Sequence, residues 1–416
     1  MPMVTVPDAA TELDFDQVLV AGELCPAYQP IVDLTNGDVV AYEALARWPD
    51  IDGATPDIVF AAARVNGRTL DLDWACRLAA LDGALSFGLG RRQVLFMNVE
   101  PETLGTPPPP EAAPAIAAAQ SKLRVMIELT ERSLASHPAE LLRVVDWARE
   151  NGWGIALDDV GAEPASLALL PFLAPDVIKL DITLVTQRPT SEQSAIMAAV
   201  MAHSERTGAI ILAEGIETQA HLDQALALGA TLGQGWLFGR PGPLVTTAAP
   251  RGEIGFARPS GAASDTPFAL VSGGGRLRVG RKGLLLDLCR HIEGEGMSIW
   301  PPPVVLAAFQ TADRFTPATA KRFASLASRC PLVAALGVDL SAELAPGVFG
   351  NSLSAEDPLA EEWTVTVTGS HYAAALIARD MGDSGPDHER RFQFVVTHNR
   401  DLVLKAARSL MARIVD

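Results

Sequence analysis

Between Val94 and Glu214 the chain repeats one pattern: a short apolar run stops on an acid or an amide. The runs are Val94-Leu95-Phe96-Met97-Asn98, Val125-Met126-Ile127-Glu128, Ile155-Ala156-Leu157-Asp158-Asp159, Val177-Ile178-Lys179-Leu180-Asp181 and Ile210-Ile211-Leu212-Ala213-Glu214. Runs this short and this β-branched predict buried parallel strands. Helical patterns at 56–65, 70–87, 139–150, 192–206 and 219–228 separate most of them. Alternating strand and helix, with polar groups at strand C-termini, predicts an α/β chain folded as a TIM-type (β/α)8 barrel whose chemistry gathers on one face.

Upstream, Ala27–Val32 and Val39–Leu45 flank Thr35-Asn36-Gly37-Asp38, and Asn-Gly between apolar runs predicts a hairpin. The Pro-rich stretch 106–114 predicts a loop. From Pro241 to Pro267 the composition shifts to Pro, Gly, Ala, Ser and Thr without periodicity, as in a linker. A second, smaller α/β pattern follows: helices at 282–293, 317–328 and 401–414, strands at 304–309, 333–338, 363–368 and 392–397. The expected organisation is an N-terminal extension (1–22), a barrel domain (23–245), a linker (246–267) and a second domain (268–416).

Composition narrows the partners. With 416 residues, 48% of them hydrophobic, there is material for two full cores. A formal net charge of −17 disfavours a nucleic-acid polymer or an anionic membrane as partner, since most of the surface would repel either. The four cysteines, Cys25, Cys76, Cys289 and Cys330, have neither CxxC spacing nor histidine partners, which predicts no zinc site and fits a reducing cytoplasm. The first 22 residues lack the charge pattern of a secretory signal, and no apolar stretch is long enough to span a bilayer. A soluble, cytoplasmic protein is expected.

Any single strand-end acid could simply cap the next helix. The set is harder to explain that way, because converging carboxylates repel one another unless cations neutralise them. Oxygen donors without cysteine or histidine favour Mg²⁺ or Mn²⁺ over zinc. Adjacent Asp158 and Asp159 could let one carboxylate bridge two ions, a geometry suited to displacement at phosphorus. Lys179 inside a buried strand requires a partner; it could orient or deprotonate a water, or form a structural ion pair. Arg47, on the strand face of Glu43 and Leu45, could grip a phosphate.

Seven segments in order resemble the EAL domain, a family of cyclic di-GMP phosphodiesterases: Tyr28-Gln29-Pro30-Ile31-Val32 with Tyr42-Glu43-Ala44-Leu45-Ala46-Arg47-Trp48; Asn98; Glu128-Leu129-Thr130-Glu131; Asp158-Asp159; Ile178-Lys179-Leu180-Asp181; Ala213-Glu214-Gly215-Ile216-Glu217-Thr218; and Gln234 to Pro241. The resemblance implies that Glu43, Asn98, Glu128, Asp158, Asp159 and Glu214 hold two divalent ions, Mg or Mn. It implies that Lys179 activates the attacking water, and that Gln29, the Leu45 backbone, Arg47 and Asp181 contact substrate, with Phe238 and Pro241 near a guanine. Glu131 would anchor the loop after Asp159, Glu217 and Gln234 would support the site, and a homodimer is expected. The product would be linear pGpG.

Two positions depart from the family pattern. Val160-Gly161-Ala162-Glu163-Pro164-Ala165-Ser166 stands where the family usually shows Phe-Gly-Thr-Gly-Tyr-Ser-Ser, and Glu100 stands where serine is common, its side chain expected to point outward. In the second domain, Phe309-Gln310 through Thr316 and Arg390-Arg391-Phe392 through Val403 resemble the DICT domain, a sensory module, which implies regulation of the barrel. The alternative is a degenerate EAL receptor that binds cyclic di-GMP without turnover and signals to a partner.

Overall fold

The computed structural model describes residues 18, 23–103, 106–130, 138–161, 167–187, 190–256, 265–273, 277–383 and 386–414. Eight strands close a barrel: β1 (Cys25–Asp33), β2 (Val39–Arg47), β3 (Val94–Val99), β4 (Arg124–Thr130), β5 (Gly154–Val160), β6 (Val177–Leu180), β7 (Ile210–Ala213) and β8 (Leu232–Gln234). Around them run helices α1 (Pro56–Val65), α2 (Thr69–Phe87), α3 (Ala113–Lys122), α4 (Pro138–Glu150), α5 (Leu170–Leu173), α6 (Ile182–Thr186), α7 (Ser191–Thr207) and α8 (Gln219–Ala227). The Pro-rich segment expected to be loop through Pro114 becomes helical at Pro110, because proline is tolerated in a first helical turn, where its missing N–H would lack a partner anyway.

Strand β1 departs from an all-parallel barrel. It pairs antiparallel with both β2 and β8, while the remaining neighbours are parallel. The hairpin turn at 34–38 reverses the chain before the first crossover helix.

Side-chain alternation sorts the interior into layers. Ala41, Phe96, Met126, Ala156, Val177, Leu212 and Leu232 form an apolar plug. Two residues further along each of these strands come Glu43, Asn98, Glu128, Asp158, Lys179, Glu214 and Gln234. Ile31 belongs to the same plug; because β1 runs the other way, its counterpart is Gln29, two residues earlier. Every barrel strand therefore contributes one plug residue and, within it or immediately after it as with Glu214 beyond β7, one polar residue at the open end. The other end is closed by Ile254 and Phe256 of the expected linker, where Arg124 donates to the Ile254 carbonyl and stacks 4.4 Å from the Phe256 ring centroid.

The second sheet has the order β12-β13-β11-β10-β14-β15-β16-β9, built from β9 (Arg278–Arg281), β10 (Val304–Thr311), β11 (Val333–Val338), β12 (Glu343–Ala345), β13 (Val348–Leu353), β14 (Glu362–Thr368), β15 (Ala373–Asp380) and β16 (Arg391–Thr397). Helices α10 (Lys282–Ser298) and α11 (Pro317–Ala327) cover one face, against Val305, Ala307, Val365 and Leu376. On the other face, α9 (Pro267–Ser272) and α12 (Arg400–Met411) cover Ala375, Ile377 and Val395. Helix α12 also meets α4 and α5 of the barrel. Among the described residues no helix is long and apolar enough to cross a membrane.

Near this seam lies His203 on α7, 2% exposed. Burial first, then the charges of Arg206 and Arg400, push its pKa from 6.5 down to about 4. The folded state thus resists a proton that the unfolded chain accepts, so stability is intact above pH 6.5 and falls as pH drops towards 4. The loss should reach roughly 2–3 kcal/mol. His203→Gln should remove that part of the acid sensitivity in thermal melts between pH 7 and 4.5; a parallel pH dependence in both proteins would refute the assignment.

Candidate functional site

The polar layer converges on one nitrogen. Lys179, 1% exposed, places Nζ 2.6 Å from Glu128 Oε1, 2.8 Å from Glu214 Oε1, 3.0 Å from Asp158 Oδ1 and 3.7 Å from Glu43 Oε1. Burial alone would drive its proton off, but Asp158, Glu128, Glu214 and Glu43 together hold its pKa well above the usual lysine value. The acids divide. Burial pushes Glu128 well above the carboxylate range, with Glu43 adding to it, and lifts Glu214 to about 8. Glu43 is held low: burial opposes this, but Lys179 and hydrogen bonds from Gln234 and Asn98 prevail. Those bonds are Gln234 Nε2 to Glu43 Oε2 at 2.6 Å and Asn98 Nδ2 to Glu43 Oε1 at 3.2 Å.

Asp159 completes the cluster from an unusual backbone. Its φ of +58° turns its side chain away from the strand alternation, so that consecutive residues can face one place. Carboxylate oxygens of Asp158, Asp159 and Glu214 lie within 4.8 Å of one another. Both oxygens of Glu128 are buried without a well-directed hydrogen bond, although its Oε1 lies against Lys179. Five carboxylates thus face one ammonium and one amide donor pair, a surplus of negative charge that fits divalent cations.

Two cavities open over this layer and share Glu43 and Leu45. One, about 390 Å³, is lined by Gln29, Asp158, Lys179, Glu214, Glu217 and Gln234; the other, about 710 Å³, is lined by Arg47, Asn98, Glu100 and Asp159 among others. Gln29 donates to the Gly239 carbonyl and accepts from Gln234, each at 3.1 Å. Phe238 and Pro241 line neither cavity; Phe238 packs instead against the apolar core. Asp181 is the N-cap of α6, accepting from the Thr183 amide at 2.8 Å. Glu131 and residues 162–166 of the altered loop lie outside the described residues.

Glu100 does not point outward into solvent. Its carboxylate takes a 2.8 Å hydrogen bond from Arg64, which also binds Glu102, while its amide donates to Asp73 Oδ1 at 3.3 Å. Buried Asp73 is held in turn by Arg77 and Thr103. This network fixes the end of β3, which carries Asn98. Sequence reading missed Arg64 and Asp73 because their links to Glu100 span tens of residues and follow no local pattern. It also gave no role to Trp236, 51% exposed at the rim, with Arg240 stacked 3.7 Å from its centroid.

Gly235 sets the end of β8. Its φ is +153°, and a Cβ there would stand 2.2 Å from the Ile216 carbonyl oxygen. Gly235→Ala should therefore cost about 3 kcal/mol or more and pull Gln234 off Glu43. Gly252, with nothing within 4 Å, is the control. Equal melting temperatures for Gly235→Ala and Gly252→Ala would overturn this.

Residues 13–241 match the family described as the EAL domain, and residues 273–381 match DICT, described as a sensory domain in diguanylate cyclases and two-component systems. Among characterised proteins, the cyclic di-GMP phosphodiesterase RocR of Pseudomonas aeruginosa is 33% identical over 232 residues, 53% of this chain and 58% of its own length. The probable cyclic di-GMP phosphodiesterase PdeB of Escherichia coli is 31% identical over 226 residues, 53% of this chain and 43% of its own. The chain thus spans about half the length of these relatives. A solved structure of Klebsiella pneumoniae BlrP1, a manganese and cyclic di-GMP complex, is 31% identical, covering 53% of this chain and 57% of that one with a TM-score of 0.47.

Proposed function

The chain belongs to the EAL domain family, and from that premise we propose that its barrel hydrolyses cyclic di-GMP to linear pGpG with two divalent ions, under the control of its DICT domain. The supporting observation is the ring of Glu43, Glu128, Asp158 and Glu214 around Lys179, with Asp159 and Asn98 beside it. These oxygen donors suit Mg²⁺ or Mn²⁺. Bound ions supply Lewis-acid stabilisation of charge growing on the phosphoryl group.

The chain's own residues do the rest. Gln234 and Asn98 fix the rotamer of Glu43, so the ligand set is pre-organised. Lys179 Nζ holds a proton among the acids; once their charge is compensated, its proton affinity falls, the direction required for activating a water. Arg47 lies along the adjoining groove, where a second phosphate of the cyclic dinucleotide would rest, and the exposed indole of Trp236 offers a stacking face at the rim. Water adds across one P–O3′ bond: hydroxide joins phosphorus and a proton goes to the O3′ leaving group. Hydrolysis leaves the second phosphodiester intact.

The test is chromatography with mass detection of full-length protein incubated with cyclic di-GMP and Mg²⁺ or Mn²⁺. Formation of pGpG is expected. Saturable binding with no product in either metal would overturn the enzymatic reading in favour of a receptor. A homodimer, the other expected partner, would show in light scattering of the same sample.

A further inference from the structure

Where α10 and α11 cover the second sheet, residues of both helices line a cavity of about 360 Å³, a size typical of small-molecule sites. Its floor is aromatic. Phe309 and Trp363 sit directly opposite each other on β10 and β14, and Phe392 meets Trp363 edge-on with centroids 5.5 Å apart. All three are at most 8% exposed. The strand carrying Phe309 is bulged at this point: register with β11 shifts between Ala308 and Thr311, and Gln310 takes a φ of +50°. Such irregularities re-aim side chains and collect at binding sites.

The mouth gathers cations that already hold carboxylates: Asp313 lies 3.3 Å from Arg314, and Asp380 pairs with Arg390. Lys282, Arg314 and Arg390 all reach Asp387 on a short turn, although that carboxylate is 55% exposed. Deeper in, Glu293 is 4% exposed and takes a 2.8 Å hydrogen bond from Arg322. Cys289 beside it is no thiolate, since burial and then Glu293 push its thiol well above the ordinary value. Metal or redox chemistry at that sulfur is therefore disfavoured.

We propose that this cavity binds a small planar aromatic carboxylate, its ring against Trp363 and Phe309 and its carboxylate on Lys282 and Arg314 in place of Asp387. A flat ring meets aromatic edges favourably. The ligand group exchanges like for like with the carboxylate now present, and charge-assisted pairing favours it over a neutral analogue. Displacing Asp387 frees the turn that leads into β16, so occupancy would register in the sheet.

The probes are 2-naphthoate and its uncharged analogue 2-naphthamide, titrated calorimetrically into metal-free, full-length protein, which keeps the result separate from the phosphodiesterase reading. Naphthoate should bind one site per chain, and the amide about tenfold more weakly. Arg314→Gln and Trp363→Leu should weaken naphthoate by about tenfold, whereas Asp387→Asn, which removes the internal competitor, should tighten it by a similar factor. Circular dichroism confirms folding; Arg314 and Asp387 are exposed enough to be replaced if Trp363→Leu fails to fold. Absence of saturable binding, equal affinity for acid and amide, or indifference to Asp387→Asn would each overturn the proposal.

Discussion

Lys179→Ala is expected to abolish turnover, lowering kcat by about 10³-fold, while leaving divalent-ion binding intact or tighter. The two outcomes have one cause. Among the described residues Lys179 Nζ is the only cation paired with Glu43, Glu128, Asp158 and Glu214, so in the ion-free protein it does what bound cations would do. Removing it leaves the acids without that charge. Ion-free protein should then be destabilised by roughly 3–5 kcal/mol, since breaking a buried pair leaves charge uncompensated. Added Mn²⁺ should restore more melting temperature in the variant than in the unaltered protein. A lysine serving only as a structural pair would lose ion binding and rate together, or neither. Parallel turnover assays and Mn²⁺ titrations decide this. An unchanged rate, or loss of ion affinity together with rate, would falsify the assignment of Lys179 to the reacting water.

The legible part of the site follows from the period of two in a strand. Residues such as Met126 and Glu128, or Val177 and Lys179, share one face, so an apolar run that stops on an acid describes a barrel interior with a polar rim. That is why five strand ends could be read in order. Gln29 belongs to the same layer yet precedes its plug partner Ile31, and only the antiparallel direction of β1 explains the inversion. The inward orientation of Glu100 is not legible in sequence because its partners Arg64 and Asp73 lie on other elements. Asp181, expected at the substrate by resemblance, has a structural role that periodicity does not show: its carboxylate caps α6 through the Thr183 amide. Short helices with proline or acid at their N-termini escape periodicity, and so did α5 and α6.

In the second domain the strands legible in sequence are apolar runs at 304–309 and 333–338 and polar–apolar alternations at 363–368 and 392–397. Strand β15 is hidden in the sequence because Ala373-Ala374-Ala375 has high helical propensity, and pairing with both β14 and β16 overrides it. The seam between the domains left no trace in sequence at all. Leu170 and Phe172 of the barrel fall in one apolar cluster with Ala407, Leu410 and Met411 of α12. An isolated reading of either domain would treat those residues as ordinary core.

Arg408→Glu should expose that seam. Arg408 Nη2 lies 2.9 Å from Asp146 Oδ1 on α4, and Nη1 donates to the Phe172 carbonyl at the end of α5. With its side chain only 17% exposed, the guanidinium is largely shut off from water. A glutamate there faces a carboxylate and a carbonyl with no donor, a change worth about 3–5 kcal/mol. Spread over domains of this size, that lowers the melting temperature by about 10 °C. Because the barrel and α12 share one apolar cluster, the unaltered chain should unfold in a single calorimetric transition, and Arg408→Glu in two. Asp146→Arg added to Arg408→Glu restores opposite charges and should recover most of the loss. A single transition at the original temperature for Arg408→Glu would show that the domains are held by apolar contact alone. The effect should reach the site, because the buried run from Leu167 to Leu173 lies on the same stretch of chain as Asp158 and Asp159. The variant should therefore lose rate at temperatures where both domains are still folded.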